Sequence, residues 1–121
     1  MAGRLPDIDG LITCLEVGQF TRYSLHDVFR SIAFLPETMA VYIEWRHEEP
    51  FRFRLRLQAQ AQDLEFETED FEVLAHASGR SESVVELPLK LAGLLPGGYN
   101  LVVVTEDGTE LHQRMVFFGE M

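Results

Sequence analysis

Hydrophobic and polar residues alternate without exception along residues 51–62, whose sequence is FRFRLRLQAQAQ. The odd positions are Phe, Phe, Leu, Leu, Ala and Ala, and the even positions are three Arg followed by three Gln. Successive side chains of a strand point to opposite faces of a sheet, so this pattern predicts a half-buried strand of an antiparallel sheet. A helix would distribute the arginines around its circumference instead.

The other hydrophobic residues predict further short strands separated by turn residues, which is the pattern of an all-β protein. These predicted strands cover residues 10–17, 39–47, 64–76, 83–91, 99–105 and 110–118. The alternation within 64–76 is broken near residues 68–70, which predicts a loop or a bulge there.

One predicted strand is expected to have a particular place in its sheet, and one further segment is compatible with either a strand or a helix. Pro88 has no amide hydrogen to donate, so the strand over 83–91 is expected to lie at a sheet edge or to be interrupted at Pro88. Residues 22–32 alternate as a strand does, and a strand is the preferred prediction. A helical turn over residues 25–32 is the competing one.

The C-terminal stretch LLPGGYNLVVVTEDGTELHQRMVFF predicts a β-hairpin. Asp107 and Gly108 lie between two apolar runs, and glycine reaches positive φ at little steric cost. The preceding PGGY is similar to the corner of a sandwich, where a tyrosine at a strand start bonds its hydroxyl to upstream backbone. We predict that Tyr99 is this residue, with its partner near residues 94–95. A phosphate-binding loop is disfavoured, because PGGY precedes a strand and lacks the Lys-Ser/Thr of such loops.

The length of 121 residues predicts a single domain over 1–121, with residues 1–9 as a flexible lead-in. About seven to nine strands, in a meander or a Greek key, is the number expected of an immunoglobulin-like antiparallel β-sandwich. A small closed barrel is the main alternative. The predicted fold class is therefore all-β.

The charge and the single cysteine narrow the choice of partners and compartment. Twenty acidic and 10 basic residues give a net charge of −10, which repels a phosphate backbone and disfavours nucleic acid as a partner. Cys14 has no second cysteine with which to form an internal disulfide, which fits a reducing cytoplasm. No apolar run resembles a signal peptide or approaches the roughly 20 residues of a membrane span. We expect a soluble cytoplasmic protein without membrane contact.

The even positions of the first segment supply the main candidate binding site. Arg52, Arg54 and Arg56, called the arginine face below, are expected to project from one side of the strand about 6–7 Å apart. Aligned guanidinium groups can hold carboxylates or phosphates of a partner. The alternative is a solvated sheet face whose arginines pair with Glu44 or with Glu65, Glu67 and Glu69 of neighbouring strands. This alternative is favoured, because cross-strand ion pairs are common.

The histidines and the cysteine give little support for catalysis or for a metal. None of the four histidines has a recognised ligand spacing, so neither a metal nor another cofactor is expected. Cys14 lies in an apolar run and is expected to be a small buried hydrophobic residue. A site that folding assembles from distant groups, such as His47, Glu48 and His112, is the enzyme alternative.

The order of the elements resembles a family of short bacterial proteins of unknown function with one β-sandwich domain. The resemblance covers residues 11–118 and is carried by these motifs: LITCLEV, YSLHDVFRSI, FLPET, MAVYIEW, FRFRLRL and LPGGYNLVVVTEDG. It implies a sandwich fold and transfers no catalytic residue.

These observations together predict a non-catalytic β-sandwich that acts by protein binding or assembly. Either a protein partner or self-association is expected, and a homodimer through sheet faces or edges is one form of the latter, because a regular edge strand invites pairing. The alternatives are a small metal-dependent or hydrolytic enzyme, and a structural component of a virion or a secretion apparatus.

Overall fold

The computed structural model describes residues 5–14, 31–32, 35 and 37–119, and these residues form strands and turns without a helix. The strands are β1 (Asp7–Cys14), β2 (Ser31–Ile32), β3 (Met39–Arg46), β4 (Phe51–Ala59), β5 (Glu65–Glu67), β6 (Phe71–Val73), β7 (Arg80–Leu87), β8 (Gly97–Thr105) and β9 (Glu110–Phe118). The all-β prediction is confirmed. The segment for which strand and helix competed lies outside the described residues, apart from β2.

The strands form two sheets. The smaller sheet has the order β1-β3-β7, and the larger sheet has the order β2-β9-β8-β4-β5, with β6 also paired to β4. All pairings are antiparallel except the short one between β2 and β9. Two antiparallel sheets that share one apolar core are consistent with a β-sandwich.

The core forms because alternate residues of the central strands point inward. Trp45 of β3 and Phe53 of β4 are almost fully buried, and their rings are 5.0 Å apart. Since β3 and β4 belong to different sheets, this contact joins the two layers. Burial of one large apolar side chain contributes about 1.5–3 kcal/mol, so the inward-facing residues of these strands supply most of the stabilisation.

Strand β4 has the alternation that the sequence predicts, with Phe53, Leu55 and Leu57 buried and the arginines on the opposite side. The strand ends at Ala59, three residues earlier than the pattern suggests. The chain turns there, and the amide of Ala59 donates to the carbonyl of Leu64 at 2.9 Å. The alternating Ala and Gln residues that follow have little apolar surface to bury, so the pattern alone does not extend the strand.

Strand β7 ends at Leu87, immediately before Pro88, and among the described residues it forms an edge of the smaller sheet. Both consequences expected of the proline are therefore confirmed. The strand predicted over residues 83–91 does not continue beyond the proline, because the chain turns there. Leu89 is buried, whereas Leu91 is 89% exposed.

The break predicted near residues 68–70 is also confirmed, since these residues separate β5 from β6. Both short strands pair with the same side of β4. Thr68, which lies in this break, is hydrogen-bonded to Leu55 of β4. Its amide donates to the Leu55 carbonyl at 2.9 Å, and its hydroxyl accepts the Leu55 amide hydrogen at 3.0 Å.

Strand β1 begins at Asp7, so the last three residues of the predicted lead-in belong to a strand. Asp7 and Ile8 pair with the end of β3, and the register shifts between Ile8 and Gly10. A β-bulge of this kind increases local twist and interrupts the regular edge of a sheet.

Candidate functional site

The arginine face lies on the outer side of the larger sheet. Strand β4 has β8 on one side and β5 and β6 on the other. Arg54 lies opposite Val104 of β8, and Arg56 lies opposite Val102. Both valines are 2% exposed or less although they point away from the core cluster. The aliphatic stems of the two arginines are placed to cover them, as long charged side chains commonly do.

The guanidinium groups of this face form ion pairs on both sides of β4. Arg52 pairs with Glu72 at 3.4 Å, and Arg54 pairs with Glu67 at 3.2 Å and with Asp70 at 3.4 Å. The pairs of Arg56 are with Glu67 at 3.0 Å, Glu65 at 3.3 Å and Glu110 at 3.5 Å. Carboxylates of the same chain therefore occupy the positions in which an anionic ligand would bind.

Glu67 is the centre of this network. Its hydrogen bond to Arg56, and to a lesser extent its contact with Arg54, hold the pKa of the Glu67 carboxyl below its usual range. Five carboxylates surround the three guanidinium groups, so the network as a whole is not cationic. The geometry agrees with the favoured alternative, a solvated face of cross-strand ion pairs.

The predicted partners of the arginines are only partly correct. Glu65 and Glu67 do pair with the arginine face, whereas Glu44 belongs to β3 in the other sheet. The sequence places β3 before β4 and suggests that the two pair, but the chain passes between layers at residues 47–50. Asp70, Glu72 and Glu110 were not anticipated, because their proximity depends on strand order.

A second group of polar side chains lies where β3 ends and β7 begins. His47 is 6% exposed, and its amide donates to the carbonyl of Gly79 at 2.9 Å. Its Nδ1 lies 3.0 Å from the carbonyl oxygen of Glu49, and its Nε2 lies 2.6 Å from the hydroxyl of Ser81. A carbonyl only accepts, so Nδ1 carries the hydrogen, and in the neutral ring Nε2 accepts the hydroxyl proton of Ser81.

A cleft of about 750 Å³ opens beside this pair and is lined by Ser81, His76, Arg80 and Asp9. A second cleft, of about 620 Å³, is lined by His47, Ser78 and Arg80. Ser81 and His47 are 34 positions apart, and they meet because Trp45 pairs with Ser81 in the ladder between β3 and β7. No local motif signals this contact, so sequence reasoning missed it.

The structure does not gather the three described histidines into a ligand set. His76 bonds to Ser78 at 2.8 Å within its own turn. Desolvation and the nearby Arg114 guanidinium lower the pKa of His112, which lies on β9. Within the described ranges, no group of three or more His, Cys, Asp or Glu side chains could hold a metal ion. Neither His26 nor the side chain of Cys14 belongs to the described part of the chain.

The closing hairpin has the predicted strands and turn, and Asp107 contributes to the turn through hydrogen bonds. The Tyr99 hydroxyl bonds to the backbone of Leu95, and the Tyr99 ring is buried. Gly108 has φ of +94°, whereas no residue other than glycine has positive φ in the described chain. Asp107 instead accepts from the amide of Thr109 at 3.1 Å and from the hydroxyl of Thr105. These hydrogen bonds, with that of Thr105 first, lower the pKa of the Asp107 carboxyl.

The edge formed by β7 is a third candidate surface. Strand β7 pairs with β3 from Arg80 to Leu87 without a register shift, and no strand in the described part of the chain pairs with its other side. The other edges are less regular: β1 carries the bulge at Ile8, β5 and β6 have three residues each, and β9, of which only Phe117 and Phe118 pair with β2, has a register shift opposite Val103 and Val104. An unbroken edge exposes backbone groups that can pair with another chain.

No protein-family model matches this chain, and no curated protein matches it. The described residues contain no helix that could span a membrane. The function is therefore inferred from the residues and surfaces described above.

Proposed function

We propose that this protein is a non-catalytic, immunoglobulin-like β-sandwich that acts by protein binding or assembly. The proposal rests on the continuous edge of β7, whose backbone N–H and C=O groups can hydrogen-bond to a partner strand. The single cysteine supports a cytoplasmic location as part of the same proposal.

The edge of β7 is a better binding surface than the arginine face. Ion pairs within the chain already engage Arg52, Arg54 and Arg56. A partner would have to displace carboxylates before it could contact them, and such exposed pairs contribute only about 0–1 kcal/mol each. Among the described residues, no strand would have to be displaced from the edge of β7. It also presents Val84, which is 46% exposed, as an apolar contact on the outer face.

The test uses Val84→Asp, which places a charge in the middle of the edge. We expect this variant to lose the assembled mass, or the captured partners, that the wild-type protein shows, while its circular dichroism is unchanged. Leu91→Asp is the matched control, because Leu91 is exposed and lies outside every strand. The proposal is contradicted if wild-type protein neither associates nor binds a partner, or if the two variants behave alike.

The contact between Ser81 and His47 favours a second candidate, a hydrolytic enzyme. A serine hydroxyl 2.6 Å from a histidine whose other nitrogen is oriented by a carbonyl is the arrangement of an activated nucleophile and its base. This candidate ranks second because nearby backbone donors are already engaged. The amide of His47 bonds to Gly79, and the amide of Arg80 bonds to the Ser78 hydroxyl at 3.2 Å. They are not free to stabilise an oxyanion.

A fluorophosphonate probe tests the enzyme candidate directly. Labelling of wild-type protein but not of Ser81→Ala would support it, and His47→Gln should then label more slowly. Ser83→Ala is the control, because Ser83 accepts a hydrogen bond from Trp45 and has no histidine partner among the described residues. Absence of labelling in wild-type protein would remove the candidate.

A further inference from the structure

Arg80 and Glu86 are two opposite charges at the two ends of β7 on the same outer face. They are six positions apart, which corresponds to about 20 Å along a strand, so they do not reach each other within one chain. Among the described residues, neither side chain forms a salt bridge. An antiparallel strand of the same sequence, laid beside β7, would bring opposite ends together.

Symmetry restricts how two copies of β7 can pair. An antiparallel pair of identical edge strands is related by a two-fold axis normal to the sheet, which keeps both outer faces on one side. Directly opposed residues must then belong to the same face. The axis therefore lies midway between one residue and its own copy, and an axis "through" a residue has this meaning below. Axes through Glu82, Ser83 or Val84 leave most of the strand overlapped.

The charges distinguish these registers. An axis through Glu82 opposes Glu82 to its own copy, and an axis through Val84 opposes Glu82 to Glu86 twice. An axis through Ser83 opposes Arg80 to Glu86 twice and Glu82 to Val84 twice. Like charges that face each other across strands destabilise a pair, and opposite charges stabilise it. The register about Ser83 is therefore the complementary one.

We propose that the partner of the β7 edge is a second copy of this chain, paired antiparallel about Ser83, with Arg80 of each copy against Glu86 of the other. The two three-stranded sheets then form one continuous six-stranded sheet. This inference rests on the proposed function, for which it names the partner. The backbone ladder supplies attraction, and the two ion pairs select the register.

The net charge of −10 on each chain opposes association at long range. At about 0.15 M salt the Debye length is about 8 Å, so this repulsion is largely screened while groups in direct contact still interact. The mass in solution should therefore be measured at that ionic strength. We expect wild-type protein to approach twice the 13.8 kDa of the chain as its concentration rises.

Charge exchange tests the register. Arg80→Glu and Glu86→Arg alone should each weaken the dimer by roughly tenfold or more, because each creates two repulsive contacts. The double variant Arg80→Glu/Glu86→Arg should restore the wild-type dissociation constant. Glu106→Arg is the matched control, since it makes the same charge change as Glu86→Arg in the exposed turn after β8. Circular dichroism and thermal melts establish that each variant is folded.

The outcomes separate this inference from the proposed function. A protein that is monomeric at every concentration but captures another protein through Val84 overturns the dimer and keeps the binding function. A monomer that captures nothing overturns both. A dimer that tolerates Arg80→Glu, or that a folded double variant fails to restore, overturns the register about Ser83.

Discussion

The Tyr99 hydroxyl and the backbone of Leu95 form two hydrogen bonds that close the loop before β8. The hydroxyl donates to the Leu95 carbonyl at 2.5 Å and accepts the Leu95 amide hydrogen at 3.0 Å. The ring above it is 1% exposed and lies 5.7 Å from the ring of Phe118. One side chain thus links the loop, the first strand of the hairpin and the core.

Tyr99→Phe removes both hydrogen bonds and keeps the ring. We expect the free energy of unfolding to fall by about 1–3 kcal/mol, since each bond contributes about 0.5–1.5 kcal/mol. Urea denaturation measures this change. Tyr99→Ala should cost more, because it also leaves a cavity beside Phe118. Equal stability of Tyr99→Phe and wild type would show that the two bonds contribute nothing net.

Gly108→Ala tests the turn of the hairpin. Gly108 has φ of +94°, and a Cβ atom in the left-handed region costs about 1–2 kcal/mol. We expect a thermal melt to show a loss of this size. Gly108→Asn should lose less, because asparagine tolerates positive φ better than alanine does. A larger loss for asparagine than for alanine would contradict this explanation.

Variants of Arg54 test whether the arginine face stabilises the sheet through its ion pairs or through aliphatic stems that cover the valines of β8. Arg54→Met keeps a long apolar stem over Val104 and removes the ion pairs with Glu67 and Asp70. The loss should be small, because solvent screens exposed ion pairs. Arg54→Ala exposes the valine as well and should cost more than Arg54→Met. Denaturant titration of both variants decides between the two effects, and equal losses would assign the contribution to charge.

The acid side of the stability profile should depend on Glu67. Its folded pKa is depressed, so its contribution is present above its unfolded pKa of about 4.3 and is lost as pH falls through the folded pKa. Glu67→Gln should therefore be less stable than wild type at neutral pH, and its stability should fall less steeply as the pH is lowered. The difference should be about 0.5 kcal/mol, because the side chain is 39% exposed and solvent screens it. Glu69→Gln, which removes no ion pair among the described residues, is the control for pH-dependent melts.

The alkaline side should depend on Tyr42. Burial, then the hydrogen bond and charge of Glu82, and then the charge of Glu44 raise the pKa of the Tyr42 hydroxyl above its usual value. The neutral form is favoured in the folded state, so the contribution is complete below about pH 10 and is lost as pH rises through the folded pKa. Ultraviolet titration should show a late phase that Tyr42→Phe removes and that Glu82→Gln moves to lower pH. An unchanged late phase in Glu82→Gln would contradict the assigned cause.

The sequence predicts the strands far better than it predicts their neighbours. Alternation identifies β4 and the hairpin of β8 and β9, because side-chain direction within a strand is a local property. Whether Glu44 or Glu110 reaches an arginine of β4 depends on strand order, which no local pattern contains. The pair of Ser81 and His47 is hidden for the same reason. By contrast, Pro88 correctly indicates the edge position of β7, since its missing amide hydrogen is a local fact with a non-local consequence.

The break between β5 and β6 determines how far association can extend. Residues 68–70 interrupt pairing on that side of β4, so the larger sheet ends there in two three-residue strands and not in one continuous edge. Of the edges described, β7 is the one that is long and regular. If pairing takes place at the β7 edge alone, as proposed, one symmetric contact uses up that edge, so association stops at a dimer and no filament forms.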